Sequence, residues 1–313
     1  MVDEDARLPA GDELPETLLD LAVPHEDIDE LVGVARRMEG DPDARRLLGE
    51  SVRALVREIG NVGFQPDLPP VPEDLGGSQG GPGAAVRRLF PVLTLLAALP
   101  HTRAYHEERA VPADIARRTL ADLGRCLALT RRRHGSTGLM APHWLWHHFR
   151  GELYQLGRLQ FQRARLGRRT GEAVRAAGLP VGPGDPCLSI HIPGCRGPLT
   201  PEACDASLAL AKDFFALHYP EESYRVAVCH SWLLDTQLDR YLPERSNIVR
   251  FQRRFHIPYR ETDPDDGTPV FFVFGDPDLP VETLLQRTAV ERAVAGHLLA
   301  GGHWYGGHGW FEL

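Results

Sequence analysis

The chain has 313 residues, of which 42% are hydrophobic, and a formal net charge of −8 at pH 7. This length accommodates two domains or one large domain, and the apolar fraction is that of an ordinary soluble globular protein. The negative charge argues against non-specific nucleic-acid binding, which requires a basic surface.

Cysteine usage and the N-terminus predict a cytoplasmic protein. The five cysteines form no CxxC pair and their number is odd, so neither a disulfide framework nor a zinc knuckle is expected. The first twenty residues, MVDEDARLPAGDELPETLLD, are acidic and lack the apolar core of a signal peptide. The most apolar window, LFPVLTLLAALP, is too short to span a bilayer, so we expect no membrane partner.

A helical N-terminal domain is predicted over residues 1–145. A short apolar-faced segment covers Glu16 to Ala22, and a longer helix from Asp43 to Ile59 carries its apolar stripe. The Pro/Gly-rich break QPDLPPVPEDLGGSQGGPG predicts an exposed loop. Val86 to Leu99 is apolar almost all round, which favours a buried helix, and Pro112 to Arg132 predicts another helix with proline in its first turn.

Residues 146–313 are predicted to form an α+β domain, because apolar and polar residues begin to alternate. LYQLGRLQFQRARL predicts one half-buried strand, and Leu188 to Ile192 predicts a second. Thr200 then caps a helix with Pro201 at its first position. The expected inward face of this helix consists of Ala203, Leu210, Phe214 and Leu217.

The remaining elements follow in order. Tyr224 to Leu234 predicts a central strand, and Ser246 caps the next helix, whose apolar residues include Phe251 and Phe255. The unbroken apolar run from Val270 to Phe274 favours a strand buried on both faces. Val281 to Ala300 predicts a final helix, and the tail GGHWYGGHGWFEL is expected to return as an edge strand.

The segment from Cys187 to Gly275 is the most informative one. It runs strand, glycine-bearing loop, helix, strand, helix, strand. A strand that leads through a tight loop into a helix N-terminus suits an anionic ligand, because free backbone N–H groups and the helix dipole converge there. If that ligand is a pyrophosphate, the protein is a group-transfer enzyme.

This order of elements resembles the GNAT superfamily of N-acetyltransferases, from about Trp144 to the C-terminus. The whole chain, with the strings GELYQLGRLQF and CHSWLL, looks like actinobacterial acyltransferase domain-containing proteins with a helical N-terminal domain and a GNAT-like C-terminal domain. The resemblance implies acyl-CoA as cosubstrate. It also implies that the acyl-CoA thioester lies in a splay between two parallel strands.

The resemblance also implies which residues hold the cofactor. The pyrophosphate loop corresponds to PGCRGPL, in which glycines allow close backbone approach and an arginine can pair with a phosphate. The helix SNIVRFQRRFHI matches the family's asparagine-led helix, but Gln252 stands where the family often has a thiolate-protonating tyrosine. The predicted cofactor-binding residues are Ile192, Gly194, Arg196, Gly197, Leu199 and Asn247.

Three residues are candidates for catalysis. His191 lies on the polar face of the strand before the loop and suits a general base, although a histidine hydrogen-bonded within the sheet fits the same pattern. Glu152 is an alternative base that requires a pKa raised by burial, or else an ordinary acidic residue. Ser231, next to His230 and followed by Asp235, suggests a Ser/His/Asp hydrolase, but no GxSxG elbow is present.

Acceptor recognition has weaker candidates. Arg158 and Gln160 share one face of their predicted strand, and they form either a polar acceptor site or a solvated face. Asp235 is placed on the acceptor side of the cleft. Cys195, in the loop, is either an acyl-carrying nucleophile or a small residue in a turn.

No metal is predicted at either histidine-rich segment. The first holds His143, His147 and His148, where the glutamate of HExxH is missing. The second holds His303 and His308, which have no obvious third ligand.

The leading hypothesis is therefore an acyltransferase that moves an acyl group from acyl-CoA, or from an acyl carrier protein's pantetheine, to an amine or hydroxyl of a small molecule or peptide. The alternatives are a non-catalytic GNAT-like binding module, which the missing tyrosine favours, and the weaker serine hydrolase.

Overall fold

The computed structural model describes residues 7–63, 65–76 and 82–313. The chain divides into two compact units, Met1–Tyr154 and Gln155–Leu313. The first unit is helical and the second contains a mixed sheet with helices, so the predicted α+β fold class is confirmed.

The first unit is built from seven helices in its described residues: α1 Glu13–Asp20, α2 His25–Glu39, α3 Pro42–Arg57, α4 Pro82–Glu108, α5 Ala113–Leu120, α6 Asp122–His134 and α7 Pro142–Phe149. Helix α3 begins where the Asp41 carboxylate accepts from the amides of Asp43 and Ala44, with Pro42 at its first position. The predicted apolar stripe of α3 consists of Leu48, Val52, Leu55 and Ile59. The first three are buried, whereas Ile59 lies beyond the helix end.

Helix α4 forms the centre of the helical core. It is longer than predicted, and Leu89, Leu93 and Leu96 are fully buried in it. By length and composition alone, Gly83–Glu108 is long and apolar enough to cross a membrane, so the prediction that no such segment exists is wrong. Most of this apolar segment is buried within the protein, as in the core helix of a globular domain.

The single helix predicted from Pro112 to Arg132 is two helices, α5 and α6. The Gly124 amide donates to the Leu21 carbonyl at 3.2 Å, which interrupts the regular helical hydrogen bonds. A Cβ on Gly124 would lie 1.9 Å from the Ala22 carbonyl oxygen, so this close approach requires glycine. Long-range packing, which periodicity does not report, therefore breaks the helix.

The Pro/Gly-rich break is non-helical over residues 65–76, as predicted, and residues 77–81 lie outside the described residues. The loop is not exposed throughout, since Pro66 and Leu75 are buried. Leu75 is buried against the helical core, and its carbonyl accepts from Arg87.

The sheet has the strand order β1-β2-β3-β4-β6-β5, and the unit boundary falls within β1. The strands are β1 Leu153–Leu156, β2 Leu159–Arg165, β3 Pro186–His191, β4 Val226–Ser231, β5 His256–Arg260 and β6 Gly307–Glu312. Strands β3 and β4 are parallel, whereas β2–β3, β4–β6 and β5–β6 are antiparallel. The tail is therefore not the predicted edge strand, because β5 pairs with its outer side.

The helices of the second unit are α8 Arg168–Ala176, α9 Pro201–His218, α10 Asn247–Gln252, α11 Gly267–Phe274 and α12 Ala289–Leu299. The prediction of a strand at Val270–Phe274 is wrong, since this segment belongs to α11. The Asp265 carboxylate accepts from the Thr268 amide at the start of the helix, and Gly275, with φ +92°, ends it. Short apolar runs do not distinguish a strand from a helix, and here the end residues decide.

The long helix predicted from Val281 is shorter. Only a 3₁₀ turn covers Val281–Thr283, and α12 begins after Thr288, which forms a capping box with Glu291. Apolar spacing alone placed the start of this helix too early, because the capping box at Thr288 determines where α12 begins.

The β1–β2 segment and helix α9 also differ from the prediction. LYQLGRLQFQRARL is a hairpin rather than one strand, because Gly157, with φ +70°, turns the chain between β1 and β2. Helix α9 is rotated relative to the prediction, since Leu210 and Leu217 are exposed and Ser207 is buried. Ser207 faces the hairpin because its hydroxyl accepts from the amides of Arg158 and Leu159.

Candidate active site

Strands β3 and β4 separate part-way along their length. They pair at Leu188 with Ala227 and at Ser189 with Val228. Beyond these positions both strands continue, yet the described residues show no further pairing between them. Each strand stays paired on its other side, β3 with β2 as far as His191 and β4 with β6 as far as Ser231. The result is a gap inside a well-supported sheet, where backbone groups of both strands lose their usual partners.

The loop Pro193–Leu199 follows β3 directly and leads into α9. The Thr200 hydroxyl caps this helix by accepting from the Ala203 amide at 3.2 Å. Gly197 has φ +79°, and no atom lies within 4 Å of the Cβ position of Gly194 or Gly197, so the loop backbone is open to a ligand. Among the described residues, the amides of Gly194, Cys195 and Gly197 have no hydrogen-bond acceptor. These amides and the N-terminus of α9 can bind an anion.

Arg158 was predicted to lie on a strand face beside Gln160. In the structure it lies at the loop Pro193–Leu199 instead. It occupies the hairpin turn, and its Nη1 donates to the Pro193 carbonyl at 2.9 Å. The side chain is only 9% exposed, its Nε has no hydrogen-bond partner, and no carboxylate among the described residues pairs with it. Burial lowers the pKa of Arg158. A buried cation without a counter-charge is costly, and an anionic ligand at the loop offsets that cost.

His191 lies at the mouth of the gap. Its Nε2 is 2.8 Å from the amide oxygen of Gln162, which lies on β2. Because that oxygen only accepts, the bond places the ring proton on Nε2 and makes Nδ1 the basic nitrogen. Successive residues of a strand point to opposite faces, so His191 shares its face with Ser189 and, across the gap, with Val228 and His230. This arrangement suits proton abstraction beside a substrate held between the strands.

Glu152 does not meet the condition for a base. Burial alone would raise the pKa of Glu152, but hydrogen bonds from His147 and the Gly63 amide, with the charge of Arg150, lower it instead. The His147 contact is 2.7 Å and the Gly63 contact 2.9 Å. The Glu152 side chain is fully buried, and these partners occupy its carboxylate. Glu152 therefore forms a structural ion pair with Arg150 within the first unit.

The proposed Ser/His/Asp triad is not assembled. The Ser231 hydroxyl accepts from the Leu233 amide at 3.1 Å and caps a 3₁₀ turn, while His230 points to the opposite face of the sheet. Asp235, predicted to bind the acceptor, is fully buried, and its carboxylate accepts from the amides of Gln237 and Tyr305. Asp235 therefore holds the turn after β4.

The other predicted site residues surround the gap or support it. Ile192 follows β3, while Gly194, Arg196, Gly197 and Leu199 all lie in the loop. Gln160 is buried on β2 opposite His191. Asn247 begins α10, which Ser246 caps. Gln252 is buried and donates to the carbonyls of Leu233 and Asp235, so it fastens α10 to the turn after β4. Cys195 is an exposed thiol in the loop.

Sequence reasoning missed Gln162 as the partner of His191. The two residues are 29 positions apart, and they meet only because β2 and β3 pair antiparallel. The alternation of β2 identifies Gln162 as polar, but only the strand register identifies its neighbour.

Known protein families and solved structures match this chain over nearly its whole length. The family profile "N-acyltransferase N-terminal domain" matches residues 12–151, and "GNAT-like C-terminal domain" matches residues 153–311. A crystal structure of an acyltransferase in complex with decanoyl-CoA and teicoplanin is 37% identical, with a TM-score of 0.85, over 99% of this chain and 90% of that one.

Two further crystal structures are similar to the same degree. A mutant acyltransferase in complex with octanoyl-CoA has 37% identity, a TM-score of 0.85, and coverage of 99% of this chain and 90% of that one. An acyltransferase in complex with decanoyl-CoA has 37% identity, a TM-score of 0.84, and coverage of 98% and 90%. No curated protein matched the chain.

Proposed function

The chain belongs to the family that joins an N-acyltransferase N-terminal domain to a GNAT-like C-terminal domain, and we propose that it moves a medium-length acyl group from acyl-CoA to an amine of a glycopeptide. Acyl transfer follows from the family. The proposed length of the acyl group and the proposed glycopeptide acceptor both rest on the decanoyl-CoA and teicoplanin found with a protein 37% identical to this one.

The observation that carries the proposal is the gap between β3 and β4 beside an open anion-binding loop. The diphosphate of CoA binds to the amides of the loop Pro193–Leu199 and to Arg158, which we assign to the donor rather than the acceptor. The pantetheine arm then enters the gap beyond Ser189 and Val228, where backbone groups are available to it.

The reaction needs one nucleophile and one base. The amine nitrogen attacks the thioester carbonyl carbon, and unpaired backbone N–H groups of the gap stabilise the oxyanion. His191 accepts the proton that the amine loses. The carbon–sulfur bond breaks, the amide product forms, and the proton ends on the CoA thiolate. Holding thioester and amine together supplies much of the rate, since effective molarities reach about 10⁵ M or more.

The test is a transfer assay with the full chain, teicoplanin as acceptor, and decanoyl-, octanoyl- and acetyl-CoA as donors. Mass spectrometry is expected to show teicoplanin gaining one acyl group, fastest with the longer donors, while a thiol reagent detects released CoA. An acyl carrier protein loaded with a decanoyl group tests the alternative donor, and we expect it to react far more slowly.

Two results would change the account. If no acceptor is acylated by any donor, the chain is a non-catalytic binding module. If simple amines but not teicoplanin are acylated, the protein is an acyltransferase and the proposed acceptor is wrong.

We also propose that the protein acts in the cytoplasm. Fractionation of the native cells tests this location.

A further inference from the structure

Three side chains with metal-binding atoms meet at one end of the sheet, on three neighbouring strands. His230 lies on β4, His308 on β6, and Glu261 directly after β5. Their ligand atoms all lie within 4.8 Å of one another. Sequence reasoning gave His308 no third ligand, because the other two residues are far away in the chain and only the order β4-β6-β5 brings them together.

The two imidazoles have a fixed mutual orientation. His230 and His308 are direct cross-strand partners, and their rings stack in parallel with centroids 4.1 Å apart. Tyr259 stacks on the other side of His308 at 4.5 Å, and Arg169 covers Tyr259 at 3.8 Å. The four groups form one stack, and the Nε2 atoms of both histidines approach the same oxygen of Glu261.

The Glu261 carboxylate lies at the Nε2 edges of the two stacked rings. His308 Nε2 hydrogen-bonds Glu261 Oε1, and His230 Nε2 is 3.7 Å from the same oxygen. The second distance is too long for a hydrogen bond, so this carboxylate does not satisfy His230. The backbone holds Glu261 in place, because its amide donates to the Gly306 carbonyl at 2.8 Å.

Gly306 provides the space for this cluster. A Cβ at this position would lie 2.5 Å from His230 Nε2 and 3.5 Å from the Glu261 side chain. Any other residue would push the histidine away from the carboxylate. The chain therefore combines two ring-stacked histidines, an anchored glutamate and a glycine that makes room between them.

We propose that His230, Glu261 and His308 form a three-ligand Zn²⁺ site that joins the ends of β4, β5 and β6. Two imidazoles and one carboxylate are a ligand set that Zn²⁺ binds at about 2.0–2.2 Å, with a water in the fourth position. The His230 and Glu261 side chains are half-exposed, so the His230 ring is able to turn out of the stack until both Nε2 lone pairs meet one ion. The fourth position then stays open to solvent. Mg²⁺ and Ca²⁺ prefer oxygen ligands and do not fit this set.

The experiment titrates tag-free, EDTA-treated protein with Zn²⁺ by calorimetry and with Co²⁺ by visible absorption. We expect one ion per chain and a Co²⁺ d–d spectrum without a thiolate charge-transfer band. His308→Asn and Glu261→Gln are each expected to weaken Zn²⁺ binding at least about tenfold, because each removes a ligand. His256→Asn, on β5 but outside the cluster, is the matched control and is expected to bind as the unaltered chain does.

A second measurement separates metal binding from folding. Zn²⁺ is expected to raise the melting temperature of the unaltered chain and of His256→Asn but not of His308→Asn, whose melting temperature in EDTA shows whether it folds. The proposal is overturned if the chain binds no Zn²⁺ beyond its response to Mg²⁺, if all three variants bind alike, or if Co²⁺ shows a thiolate band, which would place the ion at a cysteine such as Cys195.

Discussion

Gln162 sets the catalytic form of His191. Gln162 fixes the proton on Nε2, and the alternation of β3 places His191 on the same face of the sheet as Ser189, at the end of the strand beside the gap. The alternation of β3 was sufficient to place this histidine on the polar face from the sequence. The tautomer was not predictable, because it depends on a residue of the neighbouring strand.

Replacing His191 by Asn is expected to lower kcat about 10²–10⁴-fold, because the amine then loses its proton without a positioned base. The KM for acyl-CoA is expected to change little. Steady-state kinetics across the pH range is the measurement, and the acidic limb of the kcat profile is expected to disappear.

The control for this change is His303→Asn, an exposed histidine whose ring contacts Asp266. It is expected to keep full activity. If His191→Asn retains the acidic limb with its original midpoint, His191 is a sheet histidine and another group takes the proton.

Arg158 is expected to act on the donor. Arg158→Met keeps the apolar part of the side chain and removes the charge beside the Pro193–Leu199 loop. The loss of a charge-assisted hydrogen bond to phosphate is expected to raise the KM for acyl-CoA about tenfold to a hundredfold. The KM for the acceptor is expected to stay constant.

Initial rates at varied donor and acceptor concentrations measure both constants. Arg168→Met, an exposed arginine on α8 paired with Glu172, is the control and is expected to behave as the unaltered chain. A higher KM for the acceptor with an unchanged donor KM would return Arg158 to the acceptor side, as the sequence suggested.

Other residue-level predictions failed for a common reason. Glu152 and Asp235 are both buried acids whose partners are distant in sequence, such as Gly63 for the first and Tyr305 for the second. An acidic residue next to a strand has the same appearance in a sequence whether it faces a cleft or holds a turn. The contacts that decide its role form only in the folded chain.

At the scale of elements, α9 and the β1–β2 hairpin are joined by one hydroxyl. Ser207 is fully buried, accepts from the Arg158 amide at 2.7 Å and the Leu159 amide at 3.3 Å, and donates to the Ala203 carbonyl. This contact places Arg158 against the loop before α9. The polar Ser207, not the leucines, therefore sets the rotation of the helix.

Ser207→Ala is expected to lower the free energy of unfolding by about 1–3 kcal/mol, because buried amides lose their acceptor. Urea unfolding measures this change, with Ser223→Ala, at an exposed position, as the control. We also expect a higher KM for acyl-CoA, since Arg158 loses its support. Equal stability of the two variants would contradict the role given to Ser207.

Element prediction succeeded where a local signal was present. Thr200 with Pro201, Ser246, and the alternation around His191 all appear in the structure as expected. It failed where packing decided the outcome. Val270–Phe274 is helical, and Gly124 breaks a helix by contacting a distant turn.

For the whole molecule, the fold class and the acyltransferase family were predictable from the sequence because the order of elements in the second unit is characteristic. The position of β6 was not predictable. A tail that pairs on both sides has the same local pattern as an edge strand, and only the complete sheet distinguishes them.

The stability of the molecule is expected to fall in acid because of His106. This residue is buried in the helical unit, and neither ring nitrogen has a hydrogen-bond partner. Burial lowers the pKa of His106 from 6.5 to about 4, so the unfolded chain binds a proton more readily than the folded one. The contribution of His106 therefore leaves the free energy of unfolding unchanged above pH 6.5. As the pH falls toward 4, it lowers that free energy by about 3 kcal/mol at most.

His106→Leu is expected to remove this loss, and also to stabilise the protein at pH 7 because no buried nitrogen stays unpaired. Unfolding free energies from urea titrations at pH 7 and pH 4.5 measure the effect. His134→Leu, at the exposed end of α6, is the control and is expected to keep the acid sensitivity. The same acid sensitivity in both variants would place its origin elsewhere, for example at His148.

The most direct test of the acyltransferase site is a crystal structure of the chain with a non-hydrolysable decanoyl-CoA analogue. We predict that the diphosphate contacts the amides of the Pro193–Leu199 loop and Arg158, and that the carbonyl group lies between β3 and β4 just beyond Ser189 and Val228. Density for the analogue at any other place, with β3 and β4 paired through His191 and His230, would contradict the account.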